Sequence, residues 1–277
     1  MLQQTRVAVV EDRYKQFIAR FPTIGSLAHA REQTVLAAWS GLGYYRRARN
    51  LHAAAKKVAK LGAFPGTADA WRELPGIGRY TAAAVASIAY GEPVAVVDGN
   101  VKRVLHRVTG DELGEEDNWR IATQLLDPRR AGDFNQAMME LGATVCLPAA
   151  PKCTDCPVLQ FCRTRGRHSL GQPKLRPLRR EITRALARKS DSVLLVQRAA
   201  AEGLMPRMWE LPQVSWRKSD KQLFSLRHSI TTTNYTVRVV ARSGSSRGTW
   251  VKNSRLRNLP LTGLTKKILH RAGIIQN

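Results

Sequence analysis

Leu74-Pro75-Gly76-Ile77-Gly78-Arg79-Tyr80-Thr81-Ala82 runs on into Ala83, Ala84, Ala86 and Ile88. The small-residue series predicts a helix, and Pro-Gly-x-Gly ahead of it predicts a tight turn. Gly-x-Gly at a helix start leaves backbone N–H groups bare and lets a phosphate approach closely. The stretch is not a P-loop, because the Walker-A spacing and its lysine are missing. Nor is it a dinucleotide fingerprint, because no strand precedes it and the third glycine is absent. Taken alone, it reads equally well as a plain corner between two helices.

The flanks on both sides are helical in pattern. Leu51, Ala54, Ala55 and Val58 recur at helical spacing, as do Phe134, Ala137, Met138, Leu141 and Val145. Val101, Leu105 and Val108 form a third stripe, with Lys102, Arg103 and Arg107 expected on the opposite face. Gly41-Leu42-Gly43, Phe64-Pro65-Gly66 and Gly91-Glu92-Pro93 mark turns. After the hairpin comes Val96-Val97-Asp98-Gly99-Asn100-Val101-Lys102-Arg103. Asp98 sits where an apolar run enters a helix, which is the place of an N-cap.

The chain has four cysteines, Cys146, Cys153, Cys156 and Cys162, spaced C-x6-C-x2-C-x5-C among Pro148, Pro151 and Pro157. No signal-peptide pattern is read, so short disulfides are not expected. Four thiolates suit a tetrahedral zinc and equally suit a [4Fe–4S] cluster. Zinc ribbons usually carry two C-x2-C knuckles set well apart. The single knuckle with longer arms favours the cluster.

Lys plus Arg is 45 against 21 for Asp plus Glu, a net charge of +24. A folded chain this basic repels itself unless it meets a polyanion, and nucleic acid is the expected one, with an acidic membrane surface as the alternative. No apolar run approaches the roughly 18 residues of a membrane span, and no lipidation motif is present.

Three regions are expected: a helical domain over 1–165 closed by the cysteine loop, a basic linker over 166–184 and a small α+β domain over 185–277. The linker carries Gly166, Gly171, Pro173 and Pro177 without apolar periodicity. Strands are expected over 192–196, 235–240 and 249–251, and a closing helix over 264–270.

Leu74 to Gly78, Val97 to Val101 and the cysteine spacing form a long combination. Together they resemble the helix–hairpin–helix DNA glycosylases of the endonuclease III superfamily. Met1-Leu2-Gln3-Gln4-Thr5, Gly41-Leu42-Gly43-Tyr44-Tyr45 and Phe134-Asn135-Gln136-Ala137-Met138-Met139 narrow the resemblance to the MutY adenine DNA glycosylases. The resemblance runs from residue 1 to about 162. It implies a mainly α helix–hairpin–helix glycosylase domain with an iron–sulfur loop, followed by a small α+β MutT-like domain. The implied activity is hydrolytic release of adenine mispaired with 8-oxoguanine or guanine in double-stranded DNA. A monomer acting in the cytoplasm at the bacterial nucleoid is expected, with no membrane partner.

The resemblance also implies roles. Asp98 faces the sugar of the target nucleotide, where a carboxylate stabilises oxocarbenium charge, and Asn100 orients the site. Tyr80 stands where strand-cleaving relatives place a Schiff-base lysine, so a monofunctional enzyme is expected. Gln136 falls where the family contacts adenine. Leu2, Gln3, Gln4, Thr5 and Tyr44 are expected against DNA, with Gln3, Gln4 and Tyr44 probing or wedging the stack. Gly76, Gly78 and Lys102 would hold phosphates, assisted by Lys152, Arg163 and Arg165 of the cysteine loop. Cys146, Cys153, Cys156 and Cys162 would hold the [4Fe–4S] cluster.

Two departures accompany the resemblance. The family's general acid is a glutamate just ahead of Met-Leu-Gln-Gln-Thr, and this sequence opens at that Met. A start further upstream is the expectation, with a non-cleaving lesion-binding relic as the alternative. Glu11 and Asp12 are not assigned the role. In the second domain, residues 193–198, Gly203-Leu204 and Trp209-Glu210-Leu211-Pro212 resemble the MutT-like opening strand and loop. No G-x5-E…REx2EE box occurs, so nucleotide pyrophosphohydrolysis is not expected. Arg227-His228-Ser229-Ile230-Thr231 occupies the place of the family's H-x-F-S-H lesion-reading loop, with Thr231 its aligned hydroxyl. A thymine-mismatch glycosylase of the same superfamily is the remaining alternative.

Overall fold

The computed structural model describes residues 1, 5, 7–167, 177–230, 232–242 and 248–275. Leu2, Gln3, Gln4 and Thr231, all expected at the DNA, lie outside the described residues.

The helices follow in chain order: α1 (Val7–Arg20), α2 (Ile24–His29), α3 (Glu32–Ala38), α4 (Tyr45–Leu61), α5 (Ala68–Arg72), α6 (Arg79–Tyr90), α7 (Gly99–Thr109), α8 (Glu115–Leu125), α9 (Ala131–Glu140) and α10 (Gly263–Arg271). The strands are β1 (Leu178–Leu186), β2 (Arg188–Lys189), β3 (Ser192–Gln197), β4 (Trp209–Glu210), β5 (Gln213–Val214), β6 (Lys221–Ile230), β7 (Thr233–Ala241) and β8 (Thr249–Lys252).

Residues 1–56 and 174–277 form one compact unit, and residues 57–173 form the other. The first helices thus share a unit with the strands rather than with α5–α9. The apolar side chains show why. Phe17, Phe21, Leu36, Trp39 and Tyr45 bury one another, and fully buried Met208, from the loop before β4, belongs to the same cluster. Leaving it exposed would forfeit about 2 kcal/mol of apolar burial.

The strands make two sheets, β5-β1-β7-β6 and β2-β3-β4 with β8 also on β3. β1 runs parallel to β7, and β6–β7 is a hairpin ending at Ile230↔Thr233. Val193, Leu195, Val237, Val239, Ile268 and Leu269 form the core beneath them. β1 takes in residues 178–184, which composition placed in the linker. The first half of that strand is exposed and Arg-rich, and only from Thr183 does it turn inward.

In the second unit, Ala83, Val96, Val97, Val101, Leu105 and Trp119 form the core. The buried Asn135 amide fixes the extended segment that leads to Asp98. Its Oδ1 accepts from Val96 N at 3.0 Å, and its Nδ2 donates to Val94 O at 2.8 Å and Ser87 Oγ at 2.9 Å. Such a fully satisfied buried amide specifies one chain path. After α9 the chain widens into a π-helical turn, Leu141–Val145, which brings Gly142 against Asn100. A Cβ at Gly142 would lie 2.6 Å from Asn100 Cβ, so only glycine fits.

Candidate active site and cysteine loop

Asp98 is the N-cap of α7. Its Oδ1 accepts from Asn100 N at 2.8 Å and Val101 N at 2.7 Å, and its Oδ2 accepts from Asn100 Nδ2 at 3.1 Å. Both carboxylate oxygens are therefore held by the helix start, whose dipole also favours negative charge. The Asp98 side chain shares its surroundings with Tyr80. Burial pushes the Tyr80 phenol above its usual range, and the Asp98 charge adds to that push. The phenol donates a weak bond to Met139 Sδ at 3.6 Å.

From Asn100 the network runs on to the cysteine loop. Arg103 Nη2 donates to Asn100 Oδ1 at 2.8 Å and to Gly142 O at 2.6 Å, and its Nε donates to Cys146 O at 2.8 Å. Asp98, Asn100, Arg103 and Cys146 thus form one hydrogen-bonded chain. The helical pattern put Arg103 and Arg107 on an outer face, and the structure corrects this for both. Arg107 is buried, donating to Cys146 Sγ at 3.3 Å, Leu147 O at 2.7 Å and Pro148 O at 2.8 Å. Each long side chain reaches carbonyls that the irregular loop leaves without a helical partner. Lys102 keeps to the surface, paired with Glu115. The sequence carries one signal for this network: Asn100 and Arg103 stand at i, i+3 on one helix.

Cys146, Cys153, Cys156 and Cys162 are free thiols lining one small pocket with Arg107 and Gly166. Burial pushes the Cys153 thiol up, and the other three sulfurs add to the shift. A Cβ at Gly166 would lie 2.8 Å from Cys153 Sγ, so the chain passes there at glycine distance. Arg163 N and Thr164 N donate to Val108 O and Arg107 O, tying the end of the loop to α7. Among the described residues, no three His, Cys, Asp or Glu side chains close on a single-ion position.

The hairpin turns through Gly76 at φ +74° and ends at Gly78, the N-cap of α6, with no side chain capping it. Nothing lies within 4 Å of the position of a Cβ at Gly78. Gly78 and the helix start without a side-chain cap therefore leave room for the close approach that phosphate binding requires. Arg79 beside them is engaged with Glu116 at 2.9 Å and stacks over Trp119 at 4.1 Å. Gln136 is exposed, its Nε2 donating to Gly132 O of its own helix at 3.2 Å. The structure therefore does not bring it into the Asp98 network. Lys152, Arg163 and Arg165 are exposed on the cysteine loop.

In the other unit, Tyr44 leads α4 from a turn in which Gly41, Gly43 and Tyr44 itself have φ of +105°, +68° and +46°. Its ring is half exposed, with the Arg47 guanidinium 5.2 Å from the centroid. Arg47 also donates to Met1 O at 3.1 Å and Thr5 Oγ1 at 3.0 Å, so it links Thr5 to the Tyr44 turn. Glu11 and Asp12 are exposed on α1, with Glu11 3.6 Å from Lys15.

Comparison with known proteins gives this geometry a family. Residues 1–120 match the HhH-GPD superfamily of base excision DNA repair proteins. The human protein "Adenine DNA glycosylase" is 39% identical, over 80% of this chain and 51% of its own length. The mouse protein of the same description is 48% identical over 66% of this chain and 37% of its own length. That of Buchnera aphidicola from Acyrthosiphon pisum is 41% identical over 58% and 49%. The chain thus spans about half the length, or less, of these relatives. A solved thermostable thymine-DNA glycosylase superposes with TM-score 0.56 at 28% identity, over 60% of this chain and 81% of that one. By the family matched over residues 1–120 and by these relatives, this chain is similar to the MutY-type members of the helix–hairpin–helix superfamily of base-excision DNA glycosylases.

Proposed function

We propose that the protein releases adenine mispaired with 8-oxoguanine or guanine from double-stranded DNA. The observation that carries this reading is the Asp98 carboxylate, fixed by three hydrogen bonds at the start of α7. In the reaction the bond between the sugar C1′ and the adenine nitrogen breaks. The electron pair leaves with the base, and water adds its oxygen to C1′. Positive charge builds on the sugar as the bond stretches, and an ionised Asp98 stabilises it. Asn100, held by Arg103, keeps that carboxylate aimed. Tyr80 offers no amine, so no Schiff base forms and the product is an intact strand with an abasic sugar. The adding water gives up one proton as the departing base takes up one, so the step balances as a hydrolysis.

DNA is proposed to enter with its backbone on the open start of α6, and with Lys102, Lys152, Arg163 and Arg165 adding phosphate contacts. The target base must be extruded, at a cost of a few kcal/mol that is smaller for a mispair. The four-thiol pocket is proposed to hold a [4Fe–4S] cluster. The donors are all sulfur, the chain narrows at Gly166, and Arg107 already donates to one sulfur. Such a cluster, when bound, fastens the loop at four points and supplies no step of the hydrolysis.

The test is a base-release assay of the full-length gene product on duplexes carrying A opposite 8-oxoguanine, A opposite guanine and T opposite guanine. Release of adenine from the first two without strand cleavage is expected. Release of thymine in preference would transfer the site to thymine mismatches. Tight lesion binding with no release under any condition would leave a binding protein.

A further inference from the structure

We propose that Ser40 and Tyr45 are positioning residues for Tyr44, and that the C-terminal strand region fixes them through the main-chain carbonyl of Leu261. The inference rests on the reading of Tyr44 as a residue that probes the base stack. Tyr44 stands at φ +46°, a conformation that L side chains seldom adopt and that persists only where neighbours enforce it. Trp39 Nε1 donates to Gly43 O at 3.1 Å just before it. Around the turn, two buried hydroxyls meet one acceptor. Ser40 Oγ donates to Leu261 O at 3.1 Å and Tyr45 OH donates to the same oxygen at 3.4 Å, the two hydroxyls being 3.5 Å apart.

Packing alone does not require those hydroxyls. Tyr45 is 4% exposed within an apolar cluster that a phenylalanine would fill equally well. A buried hydroxyl is costly unless bonded, so its presence marks the bond it makes. The acceptor is itself rigid. Leu261 is 1% exposed and bridges to Trp209, and Thr262 next to it caps α10. The turn that displays Tyr44 is thus clamped at both ends, by its own helices and by a carbonyl more than two hundred residues away. On this account the C-terminal region influences discrimination at the lesion through Tyr44, independently of its own 227–231 loop.

The test uses Tyr45→Phe, and Ser40→Ala with Tyr45→Phe, in the full-length gene product. 3-Fluorotyrosine at position 44 reports the turn by 19F NMR. Preference for A opposite 8-oxoguanine over A opposite guanine is measured in the presence and absence of Tyr44→Ala. Tyr45→Phe should shift or broaden the position-44 resonance and reduce the preference about fivefold, the size of one net hydrogen bond. In the Tyr44→Ala background it should cause no further loss. An unchanged resonance in both variants overturns the proposal, and so does an equal loss in both backgrounds, which would be a merely structural effect. If Tyr44→Ala alone leaves the preference intact, the probing role fails, and the 19F result still decides whether the clamp positions Tyr44. Should the double variant fail to fold, the conservative Tyr45→Phe carries the test alone.

Discussion

Asp98 at the start of α7 is held by atoms two and three residues away, with Arg103 behind Asn100 as a second support. Tyr44 at the start of α4 is held in a left-handed turn whose anchor is the carbonyl of Leu261. The difference teaches how the two tasks are distributed. The carboxylate proposed to stabilise a developing charge is built from local bonds of the helix start. The side chain proposed to test the stack is tied to a distant part of the chain, so its posture reports whether the C-terminal region is in place.

The largest effect expected on this comparison is at Asp98. Asn caps helices about as well as Asp, so Asp98→Asn keeps the two backbone bonds to one oxygen and removes the charge together with the acceptor that Asn100 Nδ2 meets. Adenine release should fall about 10²–10³-fold, with the melting temperature close to the parent's. A loss of stability of the same relative size would show that Asp98 serves the fold rather than the chemistry.

Arg107→Met probes the support behind the site. It orphans Leu147 O and Pro148 O, and should cost about 2–3 kcal/mol in thermal or urea unfolding. Visible absorbance and iron content of anaerobically purified protein should fall with it. The 8-oxoguanine preference of the remaining folded protein should not move, because Tyr44 is anchored elsewhere.

A smaller change concerns phosphate binding. Log affinity should fall steeply with log salt, as the +24 charge implies. Lys102→Ala should reduce that slope by about one and weaken all duplexes alike, leaving lesion preference intact. A selective loss for the lesion duplex would place Lys102 with Tyr44 instead.

The smallest effect is at Lys266 in α10, one turn beyond the Leu261 anchor. Burial, with Arg13 adding to it, pushes its ammonium down to about 8. The unfolded chain therefore holds that proton more tightly than the folded one. Its penalty is complete below about pH 8 and is relieved as pH rises toward the ordinary lysine value. Lys266→Met should accordingly raise the melting temperature more at pH 7 than at pH 10. An equal change at both would assign the effect to packing.

What the sequence made legible follows the same division. The hairpin, the Asp98 cap and the cysteine spacing were readable because each is decided within a few residues. The burial of Arg107 was not, because the carbonyls it meets lie some forty positions away in an irregular loop. β1 was hidden by its exposed, Arg-rich first half, and its register comes from β7, about fifty residues later. The sharing of one unit by residues 1–56 and 174–277 depends on single side chains such as Met208, which no periodicity announces. Gln136 is placed by its motif alone, and its exposed amide donates to Gly132 O one turn back.

The separation of chemistry from recognition is tested most directly by single-turnover adenine release from duplexes with A opposite 8-oxoguanine and A opposite guanine. Parent, Asp98→Asn and Tyr45→Phe proteins are compared. Asp98→Asn should lower both rates by the same factor and leave their ratio alone. Tyr45→Phe should lower the rate on A opposite 8-oxoguanine about fivefold and keep the rate on A opposite guanine near the parent's. The account is contradicted if Asp98→Asn alters the ratio as much as Tyr45→Phe does, or if Tyr45→Phe lowers both rates equally.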